Sequence, residues 1–203
     1  WQTQLERNQD LTGTLLEEPP GVRDSRSERD RLHDLAVNLG SARTDEAFNF
    51  GLGRLVATQN YDGGWSWVPG FGSSIYVTSQ IMEGLGQMIE GGIIEVTPDI
   101  SRMLQNALNY LDDIYYQEYK GPEKPETLDY DQLYYLLIRS YFQSYQFKGL
   151  TRASHAYFSR LADIKDTHNL NLMYRAQLAL LMARTGNKNQ ASQVAATIAD
   201  RAL

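Results

Sequence analysis

The chain has 203 residues, of which 42% are hydrophobic and 22% are charged, a composition typical of a single globular domain with a sizeable core. Nineteen basic and 25 acidic residues are interspersed and give a net charge of −6, so we expect no nucleic acid partner. The chain has no cysteine, which excludes a disulfide and a cysteine nucleophile within it. No apolar run reaches the length of a membrane span, so direct membrane insertion is not predicted.

Hydrophobic residues recur at helical spacing along almost the whole chain, and period-two alternation is nearly absent. Residues 1–26 are interpreted as an N-terminal extension and loop, because the sequence EEPPG at 17–21 interrupts a short helical pattern. The pattern predicts an all-α fold of helical hairpins in series within one domain, 1–203. The predicted helices span 1–16, 27–40, 44–59, 75–90, 98–115, 129–147, 151–161, 168–184 and 187–202.

The most distinctive segment is QNYDGGWSW at 59–67, between two predicted helices. We expect Asp62, Gly63 and Gly64 to reverse the chain, since glycine adopts turn conformations that other residues resist. The Gln59 amide is expected to bond backbone groups of this turn. Trp65 and Trp67, two residues apart, are predicted to lie on one side of an extended segment and to be buried between helices. The segment is similar to the glutamine–tryptophan repeats of triterpene cyclases, where it is structural too.

Two pairs of carboxylates suggest chemistry, but each has a simpler interpretation. Asp112 and Asp113 resemble the paired aspartates with which terpene synthases hold magnesium, yet adjacent helical residues do not share a face, which favours a solvated helix end. Asp129 and Asp131 suit the general acid and base of a glycosidase, but their place at a helix start favours capping. We therefore predict no catalytic, cofactor-binding or metal-binding residue.

Tyrosines and histidines provide the remaining candidates. His33, His155 and His168 lack metal-ligand spacing, so surface or capping roles are expected. Tyrosines are concentrated between 115 and 145, where spacing of three and four favours a buried seam between helices. The alternative is a surface that stacks on sugars or peptides. Its candidate residues are Tyr116, Tyr119, Tyr130 and Tyr134.

A family resemblance rests on several segments that occur in a fixed order. They are WQTQLERNQDL at 1–11, LLEEPP at 15–20, RD at 23–24, SER at 27–29, the 59–67 segment and residues 75–93. Together they resemble the thioester-domain region of bacterial alpha-2-macroglobulin-like proteins and cover at least the first half of the chain. In that family a Cys-x-Glu-Gln thioester motif lies upstream of the region that begins at Trp1, and this cysteine-free chain lacks it.

The resemblance implies an incomplete alpha/alpha toroid, with too few helices for a closed ring of six pairs. It further implies a non-catalytic domain, without a cofactor, of a bacterial protease-trapping protein, an endopeptidase inhibitor. The expected partners are the other domains of the parent protein, with proteases as its targets. Its expected location is extracytoplasmic, periplasmic or at the cell surface, with a possible lipid anchor in the parent. A chain that begins at Trp1 without a signal-peptide pattern is accordingly expected to be a piece of a longer protein.

Two other classes of function stay open. An alpha/alpha-toroid enzyme acting on glycans or isoprenoids predicts convergent carboxylates of raised pKa in a central cleft. A tetratricopeptide-like interaction scaffold is suggested by the helix pair within 168–202, with Gly186 in its turn. A regular repeat of about 34 residues is the mark of that scaffold, and it is not found upstream.

Overall fold

The computed structural model describes residues 42–123, 125–162 and 170–199, and within these ranges the chain forms seven α-helices and no strand. The prediction of an all-α fold is confirmed. The predicted helices over 1–16 and 27–40, the 1–26 extension, His33 and His168 lie outside the described residues. The helices are α1 Ala42–Thr58, α2 Ile75–Glu90, α3 Pro98–Tyr119, α4 Tyr130–Tyr141, α5 Thr151–Leu161, α6 Leu172–Arg184 and α7 Lys188–Ala199.

Alternate helices pack side by side in two layers. One layer contains α1, α3 and α5, and the other contains α2, α4 and α6, with α7 packed beside α6. Helices α4 and α6 run in the same direction, since the start of α4 bonds the first half of α6 through Tyr130 and Gln177, and their ends meet at Ser140 and Arg184. Helix α2 is parallel to α4, since Gln80 in its first half bonds Tyr134 and Gly86 in its second half lies against Tyr141. Successive helices therefore alternate between two layers, as helical hairpins in series would. Closure of these layers into a toroid stays a prediction.

Local signals explain where most of these helices begin. Ser74, Thr97 and Asn171 each accept a hydrogen bond from a backbone N–H in the first turn of α2, α3 and α6, which satisfies a donor that has no partner inside the helix. Asp129 forms a full capping box with Gln132 at the start of α4. The capping role predicted for Asp129 is confirmed.

Helix α4 ends at Tyr141, six residues before the predicted end at Phe147. The reason is tertiary: the Arg139 guanidinium donates to the backbone oxygens of Tyr145 (3.2 Å) and Gln146 (3.3 Å). These bonds hold the segment after Tyr141 in a non-helical conformation that folds back toward Arg139. Helix propensity is a weak preference that such tertiary contacts override. Helix α6 likewise starts at Leu172, later than predicted, because Asn171 caps it.

The core lies between the two layers and is centred on α4. Residues 132–140 are all buried, so this helix is enclosed on every side. Helix α2 packs tightly against it, because a Cβ atom on Gly86 would lie 2.7 Å from Cγ of the Tyr141 ring. Glycine at this position therefore lets the two helices approach each other closely.

Candidate functional site

The turn at 59–67 is built by the Gln59 side chain. Its amide Nε2 donates to the backbone oxygen of Gly63 and to that of Met103 on α3, each at 2.8 Å. The first bond closes the turn, and the second attaches the turn to the next helix of the same layer. The prediction that the Gln59 amide bonds turn backbone groups is confirmed, and the sequence alone did not indicate the bond to Met103.

Asp62 and the two glycines reverse the chain as predicted. Gly63 has φ +94°, and a Cβ atom there would lie 2.2 Å from the backbone oxygen of Asn106. Both facts require glycine, because other residues resist that conformation and any side chain would collide with α3. The Asp62 carboxylate accepts hydrogen bonds from the Gly64 N–H (3.1 Å) and the Ser73 hydroxyl (2.6 Å).

The two tryptophans have opposite environments. Trp65 is 3% exposed, and its indole N–H donates to the backbone oxygen of Leu55 on α1 at 2.9 Å. Trp67 is 72% exposed and stacks on Tyr76 with a centroid distance of 5.6 Å. The predicted burial of Trp67 is therefore wrong. Residues 65–67 do not form a strand, so spacing of two does not place these rings on one side.

Large hydrophobic side chains are exposed where the second layer begins. They lie in the loop before α2 and in the first turns of α2, α4 and α6. We call this patch the aromatic end surface, and it comprises Trp67, Val68, Phe71, Ile75, Tyr76, Tyr130, Leu172 and Met173. Clustered exposure of apolar residues marks a contact surface more often than scattered exposure does.

The four candidate tyrosines are divided between the two layers. Tyr130 and Tyr134 stack on each other on α4, with centroids 6.2 Å apart. Tyr116 and Tyr119 stack on α3, and Tyr119 also contacts Tyr157 of α5. Of the four, Tyr130 alone is more than a third exposed and belongs to the aromatic end surface.

Tyr134 is buried below this surface and joins α4 to α2. Its hydroxyl donates to the Glu83 carboxylate at 2.5 Å and accepts a hydrogen bond from the Gln80 amide at 2.7 Å. Burial and the Glu83 carboxylate raise the pKa of Tyr134, so its hydroxyl stays protonated and serves as a donor. Tyr134 therefore acts as a fixed link between helices, because its ring is enclosed.

The interpretation of Asp112 as part of a solvated helix end is wrong. Its carboxylate is fully buried and pairs with Arg139 of α4, with distances of 3.0 Å from Nε to Oδ1 and 2.5 Å from Nη2 to Oδ2. The Tyr135 hydroxyl also donates to it, at 2.7 Å. Burial raises the pKa of the Asp112 carboxyl, and the bonds from Arg139 and Tyr135 oppose that effect. Its neighbour Asp113 is half exposed, beside Lys148.

His155 also differs from its predicted surface or capping role. Its ring is half buried on α5 and packs against Tyr135 and Phe147. Burial, together with the nearby charges of Arg139 and Arg152, lowers the pKa of His155 to about 4. The imidazole is therefore neutral at pH 7. Within the ranges that the structure describes, no three His, Asp or Glu residues are grouped as metal ligands.

Comparison with known proteins adds no relative from which a function could be taken. Searches against protein-family models, curated proteins and solved structures return no match to this chain. Among the described helices, none combines the length and apolar character required of a membrane span.

Proposed function

We propose that this chain is a non-catalytic domain of a bacterial alpha-2-macroglobulin-like protease-trapping protein. The proposal rests on the resemblance of its ordered sequence segments to the thioester-domain region of that family. One structural observation supports it: the 59–67 segment, which carries part of the resemblance, joins α1, α3 and the start of α2 through Gln59 and Trp65. That role is architectural, as expected of a wall that holds a reactive segment supplied by another part of the parent.

The aromatic end surface is the proposed contact with the other domains of the parent protein. Its members come from three different helices and one loop, so the surface depends on the assembled fold. Apolar and aromatic side chains dominate the energetics of stable domain contacts because their burial removes a large apolar area from water. Trp67 and Tyr76 form its stacked pair and are the proposed anchors.

The test compares one double variant and one single variant of the parent protein. Trp67→Ser with Tyr76→Ser is expected to abolish protease trapping, because the domain contact loses both anchors. Leu150→Ser is the matched control, since Leu150 is equally exposed but precedes α5, beside the end of α4 and away from the aromatic end surface. Trapping is read as protection of a large protein substrate from the protease, while cleavage of a small peptide substrate continues.

Thermal unfolding of the isolated 203-residue variants separates a lost contact from a lost fold. The expected result is an unchanged melting temperature for both, because exposed side chains away from special features contribute little to stability. Full trapping by the Trp67/Tyr76 variant would refute the contact assigned to this surface.

A further inference from the structure

A pocket of about 240 Å³ lies between α4, α5 and α6, near the end of α4 that is opposite to the aromatic end surface. Part of its wall is apolar, and the mouth carries polar side chains such as Ser159. An apolar cavity of about 150 Å³ is large enough for benzene, so this pocket has room for a substituted six-membered ring. The apolar wall consists of Leu136, Phe142, Phe147 and Leu181.

His155 supplies this pocket with hydrogen-bonding atoms that the described protein does not use. The ring is fixed from two sides, by Tyr135 edge-on at 6.1 Å and by Phe147 at 4.9 Å between centroids. No hydrogen bond joins its nitrogens to any residue in the described ranges, and it lines the pocket. A neutral imidazole has one N–H donor and one acceptor nitrogen, so it can pair with a hydroxyl in either direction.

Arg139 also lines the pocket, but its charge is already engaged. Its guanidinium pairs with Asp112 and donates to the backbone oxygens of Tyr145 and Gln146. Its guanidinium carbon also lies over the Phe147 ring, 3.8 Å from the centroid. These contacts use four of its five N–H donors. Arg139 therefore positions the pocket wall, and the site offers no free charge for an ionic ligand.

We propose that this pocket binds a small uncharged aromatic group with a hydroxyl substituent, a phenol-type ring, whose hydroxyl pairs with His155. The apolar wall buries the ring, and the fixed imidazole selects the hydroxyl. The ring can belong to a free small molecule or to a tyrosine side chain of a peptide, which share this chemistry. The site is independent of the function proposed above.

The first experiment titrates p-cresol and toluene into the 203-residue chain by NMR. Toluene has the same ring and methyl group but no hydroxyl, so the ratio of the two affinities measures the hydrogen bond. We expect p-cresol to bind about tenfold more tightly, as befits one hydrogen bond to an otherwise unpaired group. His155→Phe retains a ring between Tyr135 and Phe147 and is expected to remove this preference. Equal affinities in the unchanged protein would overturn the role of His155.

A second pair of variants locates the binding without altering the core. Ser159→Trp fills the mouth and is expected to abolish p-cresol binding, whereas Ala156→Trp, also exposed on α5 but outside the pocket, is expected to leave it unchanged. The imidazole resonances of His155 are expected to shift on binding in the unchanged protein and in Ala156→Trp, and to stay unshifted in Ser159→Trp. Absence of saturable binding, or binding that Ser159→Trp leaves intact, overturns the proposal.

The source of the ring is distinguished in the same assay with N-acetyltyrosinamide. Tighter binding of this compound than of p-cresol supports a peptide tyrosine as the occupant, and weaker binding supports a free small phenol. Whichever compound binds more tightly, Ser159→Trp must abolish the binding of both p-cresol and N-acetyltyrosinamide.

Discussion

At the scale of single residues, the buried pair of Asp112 and Arg139 is the most consequential feature. Both side chains are almost completely buried, and they join the two helix layers. A buried charge that loses its partner is strongly unfavourable, whereas an apolar pair of similar volume is often tolerated. The pair also positions Phe147 and therefore one wall of the pocket.

Arg139→Met is expected to lower the free energy of unfolding by about 3–5 kcal/mol, because it leaves the Asp112 carboxylate unpaired in the core. The double variant Asp112→Leu with Arg139→Met is expected to recover most of that loss. Urea denaturation of the three proteins measures both effects. A single variant as stable as the unchanged chain would show that the charge of Asp112 is solvated or absent.

His155 predicts a specific dependence of stability on pH. Its pKa is about 4 in the folded chain and about 6.5 when unfolded, so in this interval the unfolded chain binds a proton that the folded chain does not. His155 therefore does not reduce the free energy of unfolding above pH 6.5. As the pH decreases toward 4, proton uptake by the unfolded chain lowers the free energy of unfolding by up to about 3 kcal/mol. Urea denaturation across this range is expected to show a shallower loss for His155→Phe. Parallel curves for the two proteins would contradict the burial of a neutral imidazole.

At the scale of elements, the turn between α1 and α2 depends on Trp65. Trp65→Ala is expected to cost about 3–5 kcal/mol, because it removes a buried ring and its hydrogen bond to Leu55. Trp67→Ala is the matched control and is expected to change stability by less than about 0.5 kcal/mol. Denaturant melts compare the two, and equal losses would be inconsistent with their opposite exposures.

The contact between α2 and α4 depends on Gly86. Gly86→Ala is expected to destabilise the chain by about 1–2 kcal/mol, since overpacking against the base of Tyr141 outweighs the gain in helix propensity. Tyr141 has little freedom to move because the Arg184 guanidinium stacks on its ring at 3.6 Å. Gly84→Ala in the same helix meets no atom within 4 Å and is expected to stabilise by up to about 1 kcal/mol. Thermal melts are expected to show a lower melting temperature for Gly86→Ala and a higher one for Gly84→Ala.

Elements whose signals are local could be predicted from the sequence, and elements set by distant contacts could not. The caps at Asp129 and Thr97 and the turn at Gly63 depend on neighbouring residues. The end of α4 depends on Arg139 contacts with a later segment. Burial of Asp112 depends on a partner 27 positions away, which helical spacing does not identify.

At the scale of the whole molecule, the two layers have distinct ends. The layer of α2, α4 and α6 begins at the aromatic end surface, and near its other end lies the pocket beside His155. Hydrophobic periodicity predicted the helices but not this arrangement, because it shows which residues are apolar and not which end of a layer they reach. For the same reason, the sequence grouped the four candidate tyrosines on one surface, whereas the structure separates them. Two lie on α3 and two on α4, and these helices belong to different layers.

We propose that the chain belongs to a protease trap and contributes no catalysis of its own. The most direct measurement incubates the parent protein with an excess of a general protease, then follows cleavage of a large protein substrate and of a small peptide substrate in parallel. We expect the parent to protect the large substrate while the small peptide is still cleaved, and the isolated 203-residue chain to protect neither. Equal cleavage of both substrates at every ratio of parent to protease would contradict it.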